Sequence, residues 1–184
     1  ITQLRSFLGA VSYYRKFIPN FATSAVSLFK LLKKGASFKW SDEENVAFNE
    51  LKTKLIQAPI WMTPDFDKRF IIRTDASRGG LGGVLIQHDE NKVEKPLHYI
   101  SRTLSKSELN YSVTDLEGTA AYYCVRKFKH YICSSKFETI LITDHKPLVG
   151  LFKNSEPTSS RHMKWVSTLS SLKVVYRYEE GKKN

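Results

Sequence analysis

The apolar residues of this 184-residue chain change period once, and that change fixes the class of fold. Over residues 1–58 they recur at helical spacing: Leu4, Phe7, Leu8, Val11, Tyr14 and Ile18 line one stripe, with Arg5, Ser12, Arg15 and Lys16 largely off it. Pro19-Asn20 is read as its stop, and a second helix is read over Thr23–Lys34, with Leu28, Leu31 and Leu32 inward and Gly35 as its end. Ser41-Asp42-Glu43-Glu44 has the form of a capping box and opens a third helix running to about Gln57, before Pro59.

From residue 70 the pattern is that of strands. Phe70–Thr74 is a short apolar strand, Arg78–Gly83 a glycine-rich turn and Val84–Gln87 a returning strand, so a hairpin is expected. Lys95–Arg102 is a third strand, Thr114–Tyr131 a helix and Thr139–Thr143 a buried strand. Helices near Pro147–Phe152 and Ser159–Leu172 precede a last strand at Val174–Tyr178. The expected architecture is α/β: a small amino-terminal helical region, then a mixed sheet of order βββαβαβ. Three parts follow: residues 1–58 helical, 59–67 a linker and 68–184 the sheet domain.

Charge narrows the partners. Lys and Arg number 29 against 18 Asp and Glu, a formal net charge of +11. Residues 1–65 hold nine basic and five acidic residues, so both parts are basic and both can face one polyanion, nucleic acid before membrane. No apolar run approaches the ~18 residues that would cross a bilayer. Cys124 and Cys133 cannot form a disulfide framework or a zinc site alone and read as reduced thiols of an intracellular protein.

Three acids stand where elements end or begin: Asp75 closing the first strand, Asp144 closing the later strand and Glu117 in the first turn of the long helix. Any one has an ordinary reading, as turn former, cap or partner of the helix dipole. Together, on neighbouring strand ends and a helix packed over them, they form a set that repels itself unless a cation sits among it. An oxygen-only set favours Mg²⁺ or Mn²⁺. The carboxylates are expected within reach of ions about 4 Å apart, an arrangement suited to phosphodiester hydrolysis.

Several segments resemble the reverse transcriptase of gypsy-type LTR retrotransposons. Thr74-Asp75-Ala76-Ser77, Tyr99-Ile100-Ser101-Arg102, Asn110–Glu117, His130-Tyr131 and Thr143-Asp144-His145-Lys146-Pro147-Leu148 are similar to its ribonuclease H domain. Leu4–Gly9, Tyr13–Phe21, Phe38-Lys39-Trp40 and Ala47–Lys52 are similar to its thumb, and Ala58-Pro59-Ile60 with Pro64-Asp65-Phe66 to the link between them. The resemblance spans essentially the whole chain. It implies a metal-dependent ribonuclease H-type endonuclease that cuts the RNA strand of an RNA/DNA hybrid, with Asp75, Glu117 and Asp144 as catalytic and metal-ligating residues and two Mg²⁺ ions, replaceable by Mn²⁺. No Tyr-x-Asp-Asp polymerase motif occurs. The implied partners are a hybrid or other nucleic acid and the remainder of the polyprotein, with no membrane, in the cytoplasm, a virus-like particle or the nucleus.

Arg78 is the first choice for contacting the nucleic-acid backbone, with Arg5, Arg15, Lys16, Arg126, Lys127 and Lys129 beside it and His145 as an auxiliary group. Trp40 and Trp61 read as packing residues rather than base platforms. Two departures from the resemblance carry expectations. Gly118 stands where the family has leucine, and an interior helix glycine costs about 1 kcal/mol against alanine, so fraying beside Glu117 is expected. Tyr178–Asn184 resembles the approach to a fourth acid, so the sheet domain reads as truncated at its carboxyl end and weakly active or inactive, and Glu179 and Glu180 are not given that role. The alternative is a non-catalytic nucleic-acid-binding or assembly module.

Overall fold

The computed structural model describes residues 1–56, 62–154 and 159–181. The expected positions of Gln57, Pro59, Trp61 and the extreme carboxyl end lie outside them, as does most of the first half of the linker. Helices α1 (Thr2–Tyr13), α2 (Phe21–Ser24), α3 (Val26–Lys30) and α4 (Asp42–Ile56) come first. Strands β1 (Ile71–Ser77), β2 (Gly80–His88) and β3 (Glu94–Arg102) follow, then α5 (Val113–Lys127), α6 (Lys129–Ser134), β4 (Thr139–Thr143), α7 (Lys146–Asn154), α8 (Ser160–Ser170) and β5 (Val174–Tyr178).

The sheet runs β3-β2-β1-β4-β5. β1, β2 and β3 are antiparallel neighbours, whereas β4 is parallel to both β1 and β5. The mixed α/β class is therefore as expected. Parallel pairing of β1 with β4 demands a crossover, and α5 supplies it across one face of the sheet. Phe70, Ile72, Leu85 and Leu141 meet Ala121, Cys124, Val125 and Phe128 there, with Trp165 and Leu169 of α8 closing the cluster. Alternate residues Ile71, Ile86, Ile140 and Ile142 form a second cluster. A third, of Leu4, Leu8, Val11, Phe21, Leu28 and Leu51 among others, belongs to the amino-terminal helices. They meet the sheet at β3, where Arg15 Nη2 donates to the Ser101 carbonyl at 3.2 Å and the Ala22 N–H donates to Ser101 Oγ at 3.0 Å.

Local geometry corrects several expectations. The first helix stops at Tyr13, a 3-10 turn at Arg15–Phe17 follows, and Tyr14 is exposed rather than inward. The second helix is broken at Ala25 into α2 and α3. Likewise the helix expected over Thr114–Tyr131 divides at Phe128, whose fully buried ring leaves the helical path to fill the core. Half of the expected capping box forms: the Ser41 N–H and Oγ both donate to Glu44, at 2.9 and 2.5 Å.

The glycine-rich turn is shorter than expected, because β2 already begins at Gly80. Gly83 belongs to the strand for a packing reason. A Cβ there would lie 2.6 Å from both the Arg73 carbonyl and Cys124 Sγ, so its bareness lets α5 settle on the sheet.

Candidate active site

Strand order brings the two aspartates together. The parallel register aligns Ile71 with Ile140 and Arg73 with Ile142, and continued two residues it sets Asp75 beside Asp144. The third acid comes from α5. Ser112 caps that helix, accepting from the Asp115 N–H at 3.1 Å and donating to Asp115 Oδ2 at 2.9 Å. The expectation that Glu117 lies in the first turn is corrected: α5 opens at Val113, so the acid of its first turn is Asp115, and Glu117 lies beyond it, where the helix dipole is a weaker reason for a carboxylate.

Glu117 is only 5% exposed. Its Oε1 accepts from the Ala76 N–H at 3.2 Å, and its Oε2 is buried with no hydrogen-bond partner. Burial first, then the charges of Asp75 and Asp144, push its pKa up to about 8. Glu117 therefore senses the charges of both aspartates. The three acids are not, however, gathered into a ready ligand cage: among the described residues no group of three His, Cys, Asp or Glu is placed to hold a metal ion. An orphaned buried carboxylate oxygen on a side chain that feels the charges of two further acids still fits a hard divalent cation, with Asp75, Glu117 and Asp144 as its holders.

A stability prediction follows. Folded and unfolded chains both keep the Glu117 proton below about pH 4.5, the ordinary value. Between there and about pH 8 the unfolded chain binds fewer protons, so stability falls as pH rises and then levels off. Urea melts in chelator should show this slope, and Glu117→Gln should flatten it and raise stability at pH 8 by about 1–3 kcal/mol, on the scale of an unpaired buried polar group. Added Mg²⁺ should flatten the wild-type slope and leave the variant unmoved. A wild-type slope indifferent to Mg²⁺ would contradict a cation at these acids.

Asp75 and Asp144 open into a groove of about 350 Å³, lined also by Arg73, Tyr99, Pro19 and Asn20. Sequence reasoning missed these four. Arg73 could have been found by strand alternation, since it is two residues before Asp75 on the same face. Its Nη1 meets Glu179 Oε2 at 2.7 Å and its Nη2 meets Glu94 Oε1 at 3.0 Å. Glu179 is thus engaged by an arginine.

His145 serves as a tie. Its N–H donates to Thr143 Oγ1 at 3.1 Å, and its Nε2 is 2.8 Å from Oγ1 of Thr114, one turn before Glu117. Arg78 Nη1 donates to the Leu109 and Tyr111 carbonyls at 2.8 and 3.4 Å, so it pins the segment before α5. Arg5 and Lys129 are exposed on α1 and α6, Arg15 is joined to Ser101, and Lys16 lies over the Phe17 ring. Arg126 and Lys127 line a different cleft, with Arg102, Arg161 and Lys164. The seven basic residues therefore do not converge on one place. Trp40 packs against Phe48 and donates to Asn45 Oδ1 at 2.7 Å, a structural role as expected.

The family model described as an RNase H-like domain found in reverse transcriptase matches residues 40–139. The chain is 38% identical over 183 residues to the retrovirus-related Pol polyprotein from transposon 297 of Drosophila melanogaster, covering 99% of this chain and 16% of that protein. It is 37% identical to the transposon Tf2-3 polyprotein of Schizosaccharomyces pombe, covering 99% of this chain and 14% of that one. It thus spans about one-sixth of the length of these relatives. Among solved structures, a foamy viral protease-reverse transcriptase in complex with double-stranded DNA superposes with a TM-score of 0.78 at 19% identity, over 97% of this chain and 32% of that chain. Another, in complex with an RNA/DNA hybrid, gives 0.75 at 20% identity over 98% and 25%. Both show likeness of fold.

Proposed function

From the premise that this chain belongs to the family of RNase H-like domains found in reverse transcriptase, we propose that it cleaves the RNA strand of an RNA/DNA hybrid as part of a retrotransposon polyprotein. The observation that carries this reading is the buried, unpartnered Oε2 of Glu117, held on α5 against β1, the strand paired with β4. A carboxylate so placed costs stability, and a catalytic cation is the compensation that suits it.

Asp75, Glu117 and Asp144 would hold the divalent ions. When bound, Mg²⁺ or Mn²⁺ supplies an activated water and stabilises the departing 3′ oxygen. The rest falls to the chain's own groups. The Ala76 N–H fixes one oxygen of Glu117 and leaves the other without a hydrogen-bond partner. At neutral pH the Glu117 carboxyl holds a proton that it releases as positive charge arrives. The Thr114–His145 tie spans the start of α5 and the end of β4, and so sets Glu117 against Asp144. In this reading the groove past Tyr99 and Asn20 receives the hybrid, 2′-hydroxyl contacts distinguish its RNA strand, and residues 1–58 are a thumb-like region beside it.

The second reading is a non-catalytic nucleic-acid-binding module. It is favoured by one observation: among the described residues no group of three His, Cys, Asp or Glu is placed to hold a metal ion. A labelled hybrid titrated with Mg²⁺ and Mn²⁺ separates them: metal-dependent cuts in the RNA strand support the first, and binding without cutting at any metal concentration supports the second.

A further inference from the structure

A second cleft, of about 580 Å³, lies between α5 and α8. Tyr122 and Arg126 follow Glu117 by five and nine positions. At 3.6 residues per turn they face about 140° and 180° away from it, and Arg126 is about 13 Å further along the helix. The cleft is thus separate from the acid site, though one helix carries both.

Its cations are held in an unusual way. Arg126 and Lys164 lie over the Tyr122 ring at 5.6 and 5.9 Å from the centroid, and Lys127 lies over Tyr123 at 5.9 Å. None of the three has a carboxylate partner among the described residues. Two further cations of the cleft are neutralised: Arg102 by Glu108, at 2.6 Å, and Arg161 by Asp115, at 3.0 Å. A carboxylate would hold a cation and cancel its charge, whereas a tyrosine ring holds it and leaves the charge in place. The helix dipole accounts for Arg126 and Lys127 at the end of α5, but not for Lys164, which lies in the first half of α8, where a cation gains nothing from the dipole. Positive charge gathered by aromatic rings and left uncompensated calls for an anion.

We propose that this cleft binds single-stranded nucleic acid, with its phosphates on Arg126, Lys127 and Lys164 and its path along Tyr122 and Tyr123. Charge complementarity selects a polyanion. Concavity selects one strand, because a duplex presents a wide convex backbone, and its bases are stacked away from any aromatic wall. The proposal goes beyond the cleavage reading and stands whether or not the acids cut, since the binding is read without a divalent cation.

The test is anisotropy of a labelled oligothymidylate strand in chelator, across a salt series, with a blunt RNA/DNA hybrid measured in parallel. Three strand phosphates give a salt slope of about −2, so replacing Arg126, Lys127 and Lys164 by Gln should flatten the slope by about 2 and weaken binding about 100-fold at 0.1 M salt. Affinity for the blunt hybrid should change less than about threefold. Lys164→Gln alone, at an exposed position, should flatten the slope by about 0.7, and Lys164→Arg should keep it. Unchanged oligothymidylate affinity in the triple variant would overturn the site. So would equal losses on strand and blunt hybrid, which would make the cleft a duplex contact, or displacement of the strand more readily by polyglutamate than by unlabelled oligothymidylate, which would assign it to an acidic peptide.

Discussion

Asp75→Asn should lower the single-turnover rate of hybrid cleavage by a factor on the order of 100 to 1,000, the range for losing one electrostatic group at a reacting centre, and should make the folded chain more stable at neutral pH without divalent ions. The two effects have one cause. Asp75 is an exposed carboxylate whose charge raises the cost of ionising Glu117. Removing that charge lets Glu117 fall back toward an ordinary carboxyl, so part of its pH-dependent penalty disappears. A structural aspartate would behave the opposite way, since loss of a turn former or cap costs about 1 kcal/mol and leaves chemistry alone. Single-turnover assays in Mg²⁺ and Mn²⁺, paired with urea melts in chelator, give both signs. Retained cleavage in the variant would remove the acids from the mechanism. Reduced stability with normal cleavage would return Asp75 to a turn-forming role.

The parts of this fold legible in the sequence are those that depend on local period. β3, β4 and β5 fall within a residue of their expected bounds because each is a short apolar or alternating run between turn residues. Asp75 is expected at the close of the first strand, but β1 runs on to Ser77 and keeps Asp75 paired with Gly82, because the glycines after it continue the hairpin rather than turn; parallel pairing of β1 with β4 brings it beside Asp144. What could not be read is what packing decides. Nothing local distinguishes Arg78, which is tied to two carbonyls, from Lys164, which is left over a ring. Nor does any local signal mark Ala25, where the helix breaks, or join Arg73 to Glu179 across 106 residues. Glycines misled for the same reason: Gly80, Gly82 and Gly83 look like a turn, but are strand residues crowded by neighbouring backbone.

Gly118 shows how far such crowding can reverse a propensity argument. In an isolated helix Gly118→Ala would gain about 1 kcal/mol, and the same reasoning predicts fraying beside Glu117. Yet Gly118 is buried, and a Cβ on it would lie 2.3 Å from Cζ3 of Trp165, with two more ring atoms at 2.7 and 2.8 Å. Trp165 is only 3% exposed and is held within the α5–α8 cluster, so the ring has little room to retreat. Overpacking of this kind costs about 1–3 kcal/mol, occasionally more. The clash is with a large ring deep in the core, so we place the cost at the upper end, and packing outweighs propensity. Gly118→Ala should therefore destabilise the chain by about 2 kcal/mol net, a fall in Tm of roughly 4–8 °C for a chain of this size. Because α8 must move to admit the methyl, the adjoining Glu117 should lose its placement, and cleavage should fall as well. The partner variant decides the cause. Trp165→Leu costs stability alone, but in the Gly118→Ala background it should cost less, with a coupling of at least about 1 kcal/mol in a double-mutant cycle. Additive losses, or a Gly118→Ala chain more stable than wild type, would mean that α8 does not press on α5 at this point, and that the bare backbone beside Glu117 has no packing role.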